Sequence, residues 1–191
     1  MHALEWIAEH GRFRRCMTCF DLRRVLGREK GRCTWCDAPL KHKNGRYCSQ
    51  ACRDETYVRC VPQVARGQVR RRDDGVCAAC GINTKKIYDF LQATKRLILS
   101  RRKHGDHIGS ASFARAWSRS EGFGGNLTEL WEMDHIVPVI EGGGMCGIDN
   151  LRTLCIRCHK KETKTLAGRR AAERRAAKDA AAQPLFREAD A

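Results

Sequence analysis

The segment that decides the fold is Trp131–Pro138, with the sequence WEMDHIVP, because a cysteine pair lies on each side of it. The first pair is CAAC at 77–80, and the second is CIRC at 155–158. Two C-x-x-C pairs can close a tetrahedral zinc site, and such a site stabilises a fold whose hydrophobic core is small. The expected zinc ligands are Cys77, Cys80, Cys155 and Cys158.

Four further polar residues in this region carry groups that bind a hard metal ion or activate water. They are Asp134, His135, Asn150 and His159. Taken alone, Asn150 is equally a turn or helix cap, and His159 is an alternative zinc ligand next to Cys158. Because four cysteines already complete a tetrahedron, His159 is expected to be free for a second metal ion.

The order of these elements resembles the HNH nuclease family, whose fold is the ββα-metal (His-Me) finger. The resemblance runs from about residue 72 to about residue 165. It implies that His135 is the general base that activates water and that Asp134 and His159 hold a catalytic Mg²⁺ or Mn²⁺. It also implies that Asn150 is the central asparagine of the motif, and that the substrate is a DNA phosphodiester.

The four zinc cysteines are typical of a large HNH subgroup, in which one C-x-x-C precedes the core and the other adjoins the last histidine. The chain departs from the family pattern by a long insert between Cys80 and Trp131. Helical periodicity in this insert predicts a helix over residues 84–103 and a short helix over Ser112–Arg119. A strand is predicted over Leu130–Val139.

A second zinc site is predicted from a C-x-x-C pair, eleven intervening residues and a C-x-x-x-C pair. We expect two knuckles around one zinc ion, with a helix starting near Ser49, as in small treble-clef-like fingers; the alternative is two unrelated pairs. Cys16 and Cys19 form a third pair without a clear second half, so a third zinc site is left open. The ligands of the second site would be Cys33, Cys36, Cys48 and Cys52.

The composition favours an intracellular protein that binds nucleic acid. There are 191 residues, twelve cysteines, 7% aromatic residues and a mean hydropathy of −0.56, so metal sites are expected to supplement a modest core. The N-terminus has no apolar signal segment, which favours a reducing cytoplasm over a secreted disulfide scaffold. With 37 basic and 22 acidic residues, the net charge of +15 attracts polyanions; an anionic membrane is the weaker alternative.

The predicted class is α+β: a small zinc-stabilised ββα-metal domain with a helical insert, plus an N-terminal treble-clef-like finger. The predicted parts are a basic segment (1–31), a four-cysteine finger (32–60), the HNH domain (61–166) and a basic tail (167–191), helical or disordered. Five cations are candidates for phosphate contacts, with exposed helix charge as the alternative reading. They are Lys160, Lys161, Lys164, Arg101 and Arg102.

The function expected from these features is metal-dependent hydrolysis of DNA, with about two structural zinc ions per chain. The main alternative is a zinc-finger protein that binds nucleic acid without catalysis, and the complete set of four polar residues favours the enzyme. A protein-binding adaptor is disfavoured by the +15 charge. Target sequence, oligomeric state and protein partners are not indicated by the sequence.

Overall fold

The computed structural model describes residues 1–101, 110–124 and 129–182, and this part of the chain contains seven α-helices and one two-stranded antiparallel sheet. This confirms the predicted α+β class. None of the described helices is both long and apolar enough to cross a bilayer. The elements are α1 (Ala3–Trp6), continued by a π turn (Ile7–Gly11), α2 (Cys19–Val25), α3 (Gln50–Cys60), α4 (Pro62–Asp73), α5 (Thr84–Arg101), α6 (Ser110–Ser120), β1 (Trp131–His135), β2 (Leu151–Cys155) and α7 (Ile156–Ala182).

Local sequence explains where several helices begin and end. The Ser49 hydroxyl accepts a hydrogen bond from the Cys52 amide at 3.2 Å and caps α3, which begins where it was predicted. Pro62 occupies the first turn of α4, where its missing N–H costs no helical hydrogen bond. Helix α4 ends at Asp73 and is capped by Asp74, whose φ of 45° is left-handed.

Strand β1 is shorter than predicted, because it ends at His135 rather than at Val139. The Ile136 amide still donates to the backbone carbonyl of Asn150 at 2.9 Å. The backbone of the next residue, Val137, forms hydrogen bonds with the Asn150 side chain instead, and these replace the backbone pairing between the two strands. The chain then turns into a short 3₁₀ helix at Val139–Glu141.

Helix α4 holds the sheet from one side. Its Arg72 donates to the carbonyls of Ile148, at 2.8 Å, and Leu151, at 2.6 Å. The neighbouring Asp73 accepts a hydrogen bond from the Thr153 amide at 2.9 Å. The backbone of β2 is therefore fixed to α4 by two charged side chains, which make stronger hydrogen bonds than neutral groups do.

Buried side chains form three clusters. The first joins the N-terminal half of the chain to one residue of the loop after β1, Met145, which is 1% exposed. The second cluster packs α5 and α6 of the insert against the sheet. The third cluster packs α4 against Trp131 and Leu151 of the same sheet. Their buried members are Ala3, Ile7, Leu22, Cys33, Trp35, Cys60 and Met145; Cys77, Leu91, Ala114, Phe123, Leu130, Leu154 and Cys155; and Ala65, Val69, Trp131 and Leu151.

Candidate active site and metal centres

The β1–β2 hairpin places an aspartate directly opposite an arginine. Asp134 pairs with Arg152 in the antiparallel register. The Nε and Nη2 atoms of Arg152 each lie 2.9 Å from Oδ2 of Asp134, and neither contact uses Oδ1. Arg152 also reaches the carboxylate of Glu162 on α7, at 3.6 Å. One carboxylate oxygen of Asp134 is therefore held in place while the other is left for a different ligand.

His135 lines the same cleft as Asp134, although neighbouring residues of a regular strand point to opposite faces. His135 is the last residue of β1, where the regular pleat ends. Burial lowers the pKa of its imidazole; the Asp134 carboxylate opposes this effect and the Arg15 guanidinium adds to it. The ring is thus kept neutral, which is the form that accepts a proton.

Asn150 ties the chain that follows His135 back to the sheet. Its side-chain oxygen accepts from the Val137 amide at 2.8 Å, and its Nδ2 donates to the carbonyls of Val137 and Gly143, both at 3.1 Å. The amide therefore contacts the backbone two residues beyond His135 and fixes the course of the loop next to the imidazole.

His159 lies in the first turn of α7 and faces the same cleft. The cleft has a volume of about 770 Å³ and lies between the end of β1, the loop over residues 136–141 and α7. An ion pair between Arg169 of α7 and Glu141 of this loop spans it. The structure thus brings together Asp134, His135 and His159, although more than twenty residues separate the last from the other two in sequence.

Three of the predicted phosphate-binding cations lie on α7, after His159. Lys160, Lys161 and Lys164 are exposed and do not line the cleft. Arg101 is the last residue of α5, and its side chain lies outside the described part of the chain, as does all of Arg102. The arginines that do line the cleft were missed by sequence reasoning, because no local pattern marks them. They are Arg15, Arg152 and Arg169.

The glycine run after the 3₁₀ helix allows other backbone segments of the chain to pack closely against it. A β-carbon on Gly143 would lie well under 3.0 Å from the carbonyl of Val137, and one on Gly144 would lie equally close to the backbone of Arg12 and Arg14. At both positions the protein's own backbone makes the close approach that requires glycine.

The eight predicted zinc ligands form two clusters, in each of which all four sulfur atoms lie within 4.8 Å of one another. In the first cluster, the Sγ of Cys48 is 3.4 Å from that of Cys36 and 3.5 Å from that of Cys52. In the second, the sulfurs of Cys80 and Cys155 are 3.8 Å apart. Tetrahedral zinc with Zn–S bonds of about 2.3 Å needs sulfurs about 3.8 Å apart. Both clusters are therefore suited to bind zinc.

The second cluster joins three elements. Cys155 ends β2, Cys158 lies in the first turn of α7, and Cys77 and Cys80 form a turn that leads into α5. A metal ion here would fix the start of α7, and with it the direction of the adjacent His159.

The two C-x-x-C turns repeat one backbone geometry. In each, the amide of the first cysteine donates to the carbonyl five residues later, at 2.9 Å for Cys33 and 2.8 Å for Cys77. The residue after the second cysteine has a positive φ, 65° at Asp37 and 72° at Gly81. Although burial raises the pKa of Cys33 and Cys77, hydrogen bonds, most of them from backbone amides, outweigh it and bring each to about 7. These bonds favour the thiolate, the form that binds metal.

Within residues 1–101, 110–124 and 129–182, these two clusters are the ones in which three or more possible metal ligands converge, and Cys16 and Cys19 belong to neither.

Residues 121–165 match the sequence model of the HNH endonuclease family, and this span contains Asp134, His135, Asn150 and His159. This part of the chain is an HNH endonuclease domain.

The chain is also similar to "DNA annealing helicase and endonuclease ZRANB3". It is 32% identical to the protein from Mus musculus over 140 residues and 33% identical to that from Homo sapiens over 137 residues. Each match covers 69% of this chain but only 12% of the relative. The crystal structure of the human ZRANB3 HNH domain matches with a TM-score of 0.38 at 29% identity, over 59% of this chain and 95% of that one.

Proposed function

We propose that the chain is a metal-dependent endonuclease that hydrolyses DNA phosphodiester bonds in the cleft beside β1. The observation that carries this proposal is that Asp134, His135 and His159, which come from the end of a strand and from a helix, face one open cleft. The relatives are named as a DNA annealing helicase and endonuclease, and a protein that anneals DNA favours DNA over RNA as the substrate.

In this proposal His135 is the general base. Its neutral imidazole takes a proton from the attacking water, a role suited to a group that titrates near neutral pH. Asn150 holds the following loop in place through Val137, so that the base stays in position relative to the cleft.

Asp134 and His159 are the proposed ligands of Mg²⁺ or Mn²⁺. A carboxylate oxygen and an imidazole nitrogen are suitable donors for these ions, and two protein ligands leave positions for water and phosphate oxygens. When bound, the ion supplies charge for the transition state and for the leaving oxygen. Arg152 holds Oδ2 of Asp134, so that Oδ1 is the oxygen available to the ion.

We assign the chemistry to residues 61–166 and a supporting role to the basic segment (1–31) and the finger (32–60). Packing of Met145 in the N-terminal cluster supports the second role, because it joins the finger to the loop that follows His135. The part of the tail that the structure describes, up to Ala182, continues α7 as an exposed basic helix.

The decisive test is cleavage of supercoiled plasmid by the full chain with Mg²⁺, with Mn²⁺ and with EDTA. We expect cleavage with either ion and none with EDTA. Asp134→Ala and His159→Ala should each lower the rate at least about tenfold at low metal concentration, and part of the loss should be recovered at high concentration. His42→Ala, in the exposed finger loop, is the matched control and should cleave normally. Binding without cleavage under every condition would favour the non-catalytic alternative.

Binding of DNA is expected to be largely electrostatic, because the chain carries a net charge of +15. The logarithm of the affinity should fall linearly with the logarithm of salt concentration, with a slope of about −0.9 for each phosphate contacted in duplex DNA. The measurement is a fluorescence titration of a labelled duplex in EDTA, so that no cleavage occurs. A flat salt dependence would contradict an electrostatic mode of binding.

A further inference from the structure

One wall of the nuclease cleft comes from the N-terminal end of the chain. This wall is the segment over residues 12–15, Arg-Phe-Arg-Arg, which lies between the π turn and α2. It runs beside the loop after β1 and is bonded to it through the backbone. The Gly144 amide donates to the Arg12 carbonyl at 2.5 Å, and the Met145 amide donates to the Arg14 carbonyl at 2.8 Å.

The wall is firmly anchored. Met145, on the catalytic side, is buried among Ala3, Ile7 and Leu22 of the N-terminal half. A β-carbon on Gly144 would collide with the wall's backbone. The segment is therefore packed closely against the loop and forms a fixed wall of the cleft.

Two side chains of the wall face the cleft, Phe13 and Arg15, and they line it together with His135. Phe13 is 56% exposed, although its ring is apolar. Arg14, between them, is also exposed but does not line the cleft. The segment thus presents to the cleft one guanidinium and one aromatic ring, and the Arg12 guanidinium lies over that ring, 4.8 Å from its centroid.

Arg15 differs from the other cleft arginines in its ion pairing. Arg152 is paired with Asp134 and Glu162, and Arg169 is paired with Glu141. Among the residues that the structure describes, no carboxylate forms an ion pair with Arg15. An exposed guanidinium without a carboxylate partner, facing a cleft of about 770 Å³, is available to an anionic ligand.

We propose that the N-terminal wall is a nucleic-acid-binding site, in which Arg15 binds a phosphate of the strand being cut and Phe13 packs against the adjoining nucleotide. Guanidinium groups bind phosphate through two parallel hydrogen bonds, and aromatic rings pack on sugars and bases. This inference rests on the proposed function, since it places the scissile strand in the same cleft as His135.

The test compares Arg15→Ala with Arg14→Ala in the full chain. Arg14 is the matched control because it has the same charge and lies in the same segment, and its contact with Met145 uses only the backbone carbonyl. Duplex binding is measured in EDTA at several salt concentrations, and plasmid cleavage is measured with Mg²⁺. Zinc content and thermal unfolding verify that each variant is folded.

Arg15→Ala is expected to weaken binding about tenfold, the scale of a hydrogen bond to a charged group, and to reduce the magnitude of the salt slope by about one. Cleavage should fall at least as much. Arg14→Ala should stay near wild type, and Arg15→Lys, which keeps the charge but not the planar fork, should lie between the two. Phe13→Ala should weaken binding and leave the salt slope unchanged, because it removes no charge.

Equal affinity, salt slope and cleavage for Arg15→Ala and Arg14→Ala would overturn the inference and leave the proposed nuclease intact. Absence of cleavage by the wild-type chain with both metal ions would instead overturn the proposed function. The two failures are therefore distinguishable, since the binding measurements in EDTA do not depend on catalysis.

Discussion

Replacing His135 by alanine is expected to lower the rate of plasmid cleavage by a factor of about a hundred or more, the usual scale for losing a general base. The imidazole lines the cleft, burial lowers its pKa and so favours the neutral form, and among the described residues no other histidine except His159 lines the cleft. Removing it takes away the group that accepts the proton of the attacking water, while Asp134 and His159 remain to bind the metal ion.

The same variant should bind duplex DNA in EDTA with wild-type affinity and should keep its zinc content. His42→Ala is again the control, because it removes an exposed imidazole distant in sequence from the cleft. A wild-type cleavage rate for His135→Ala would show that the base is another group.

Replacing Cys155 by serine is expected to unfold the HNH part of the chain and to lower the zinc content from about two ions per chain to about one. Cys155 is fully buried, ends β2 and packs with Leu130 and Leu154. Structural zinc contributes about 10–16 kcal/mol in small zinc-dependent folds, which exceeds or matches the whole stability of a typical domain, about 5–15 kcal/mol.

Cys48→Ser provides the comparison for this variant. Cys48 is an exposed ligand of the other cluster, so its loss should remove one zinc ion while the second cluster keeps its own. Elemental analysis and thermal unfolding measure both effects. Two zinc ions per chain and an unchanged melting temperature in Cys155→Ser would contradict the assignment, as would disulfides among these cysteines in the wild-type protein.

The metal clusters were predictable because their ligands come in short pairs. Within a C-x-x-C turn the chain itself brings both sulfurs close, so that only the pairing of two turns is left to tertiary structure. Helix starts such as that of α3 were predictable for a similar reason, since Ser49 caps the helix through an amide three residues away.

The cations of the cleft were not predictable in the same way. Arg152 meets Asp134 through the register of two strands, and the two residues lie 18 positions apart in the chain. Arg15 reaches the cleft only because its segment packs against the loop at Met145, 130 positions further on. The phosphate contacts predicted for the lysines that follow His159 stay a prediction: these side chains are exposed on α7 but do not line the cleft.

At the end of β1, a side chain takes backbone hydrogen bonds that strand pairing would otherwise use, and a pattern of apolar residues does not reveal this. Residues 136–140 are apolar enough to continue a strand, yet the strand stops at His135. The side chain of Asn150 takes the hydrogen-bonding groups of Val137 that a ladder would have used. The side chain of Asn150, thirteen positions away, and Pro138, which has no amide to donate, both act against a longer strand.

The lack of space at Gly143 and Gly144 limits which genetic variants of this protein can persist. Alanine adds a single carbon, and at either position that carbon would overlap backbone atoms that cannot rotate away. Every missense change in these two codons therefore separates the loop from either Val137 or the segment at Arg12–Arg14. Gly168, on the open side of α7, has no neighbour within 4 Å of the position that a β-carbon would take. Replacement is therefore expected to be tolerated at Gly168 and not at the first two glycines.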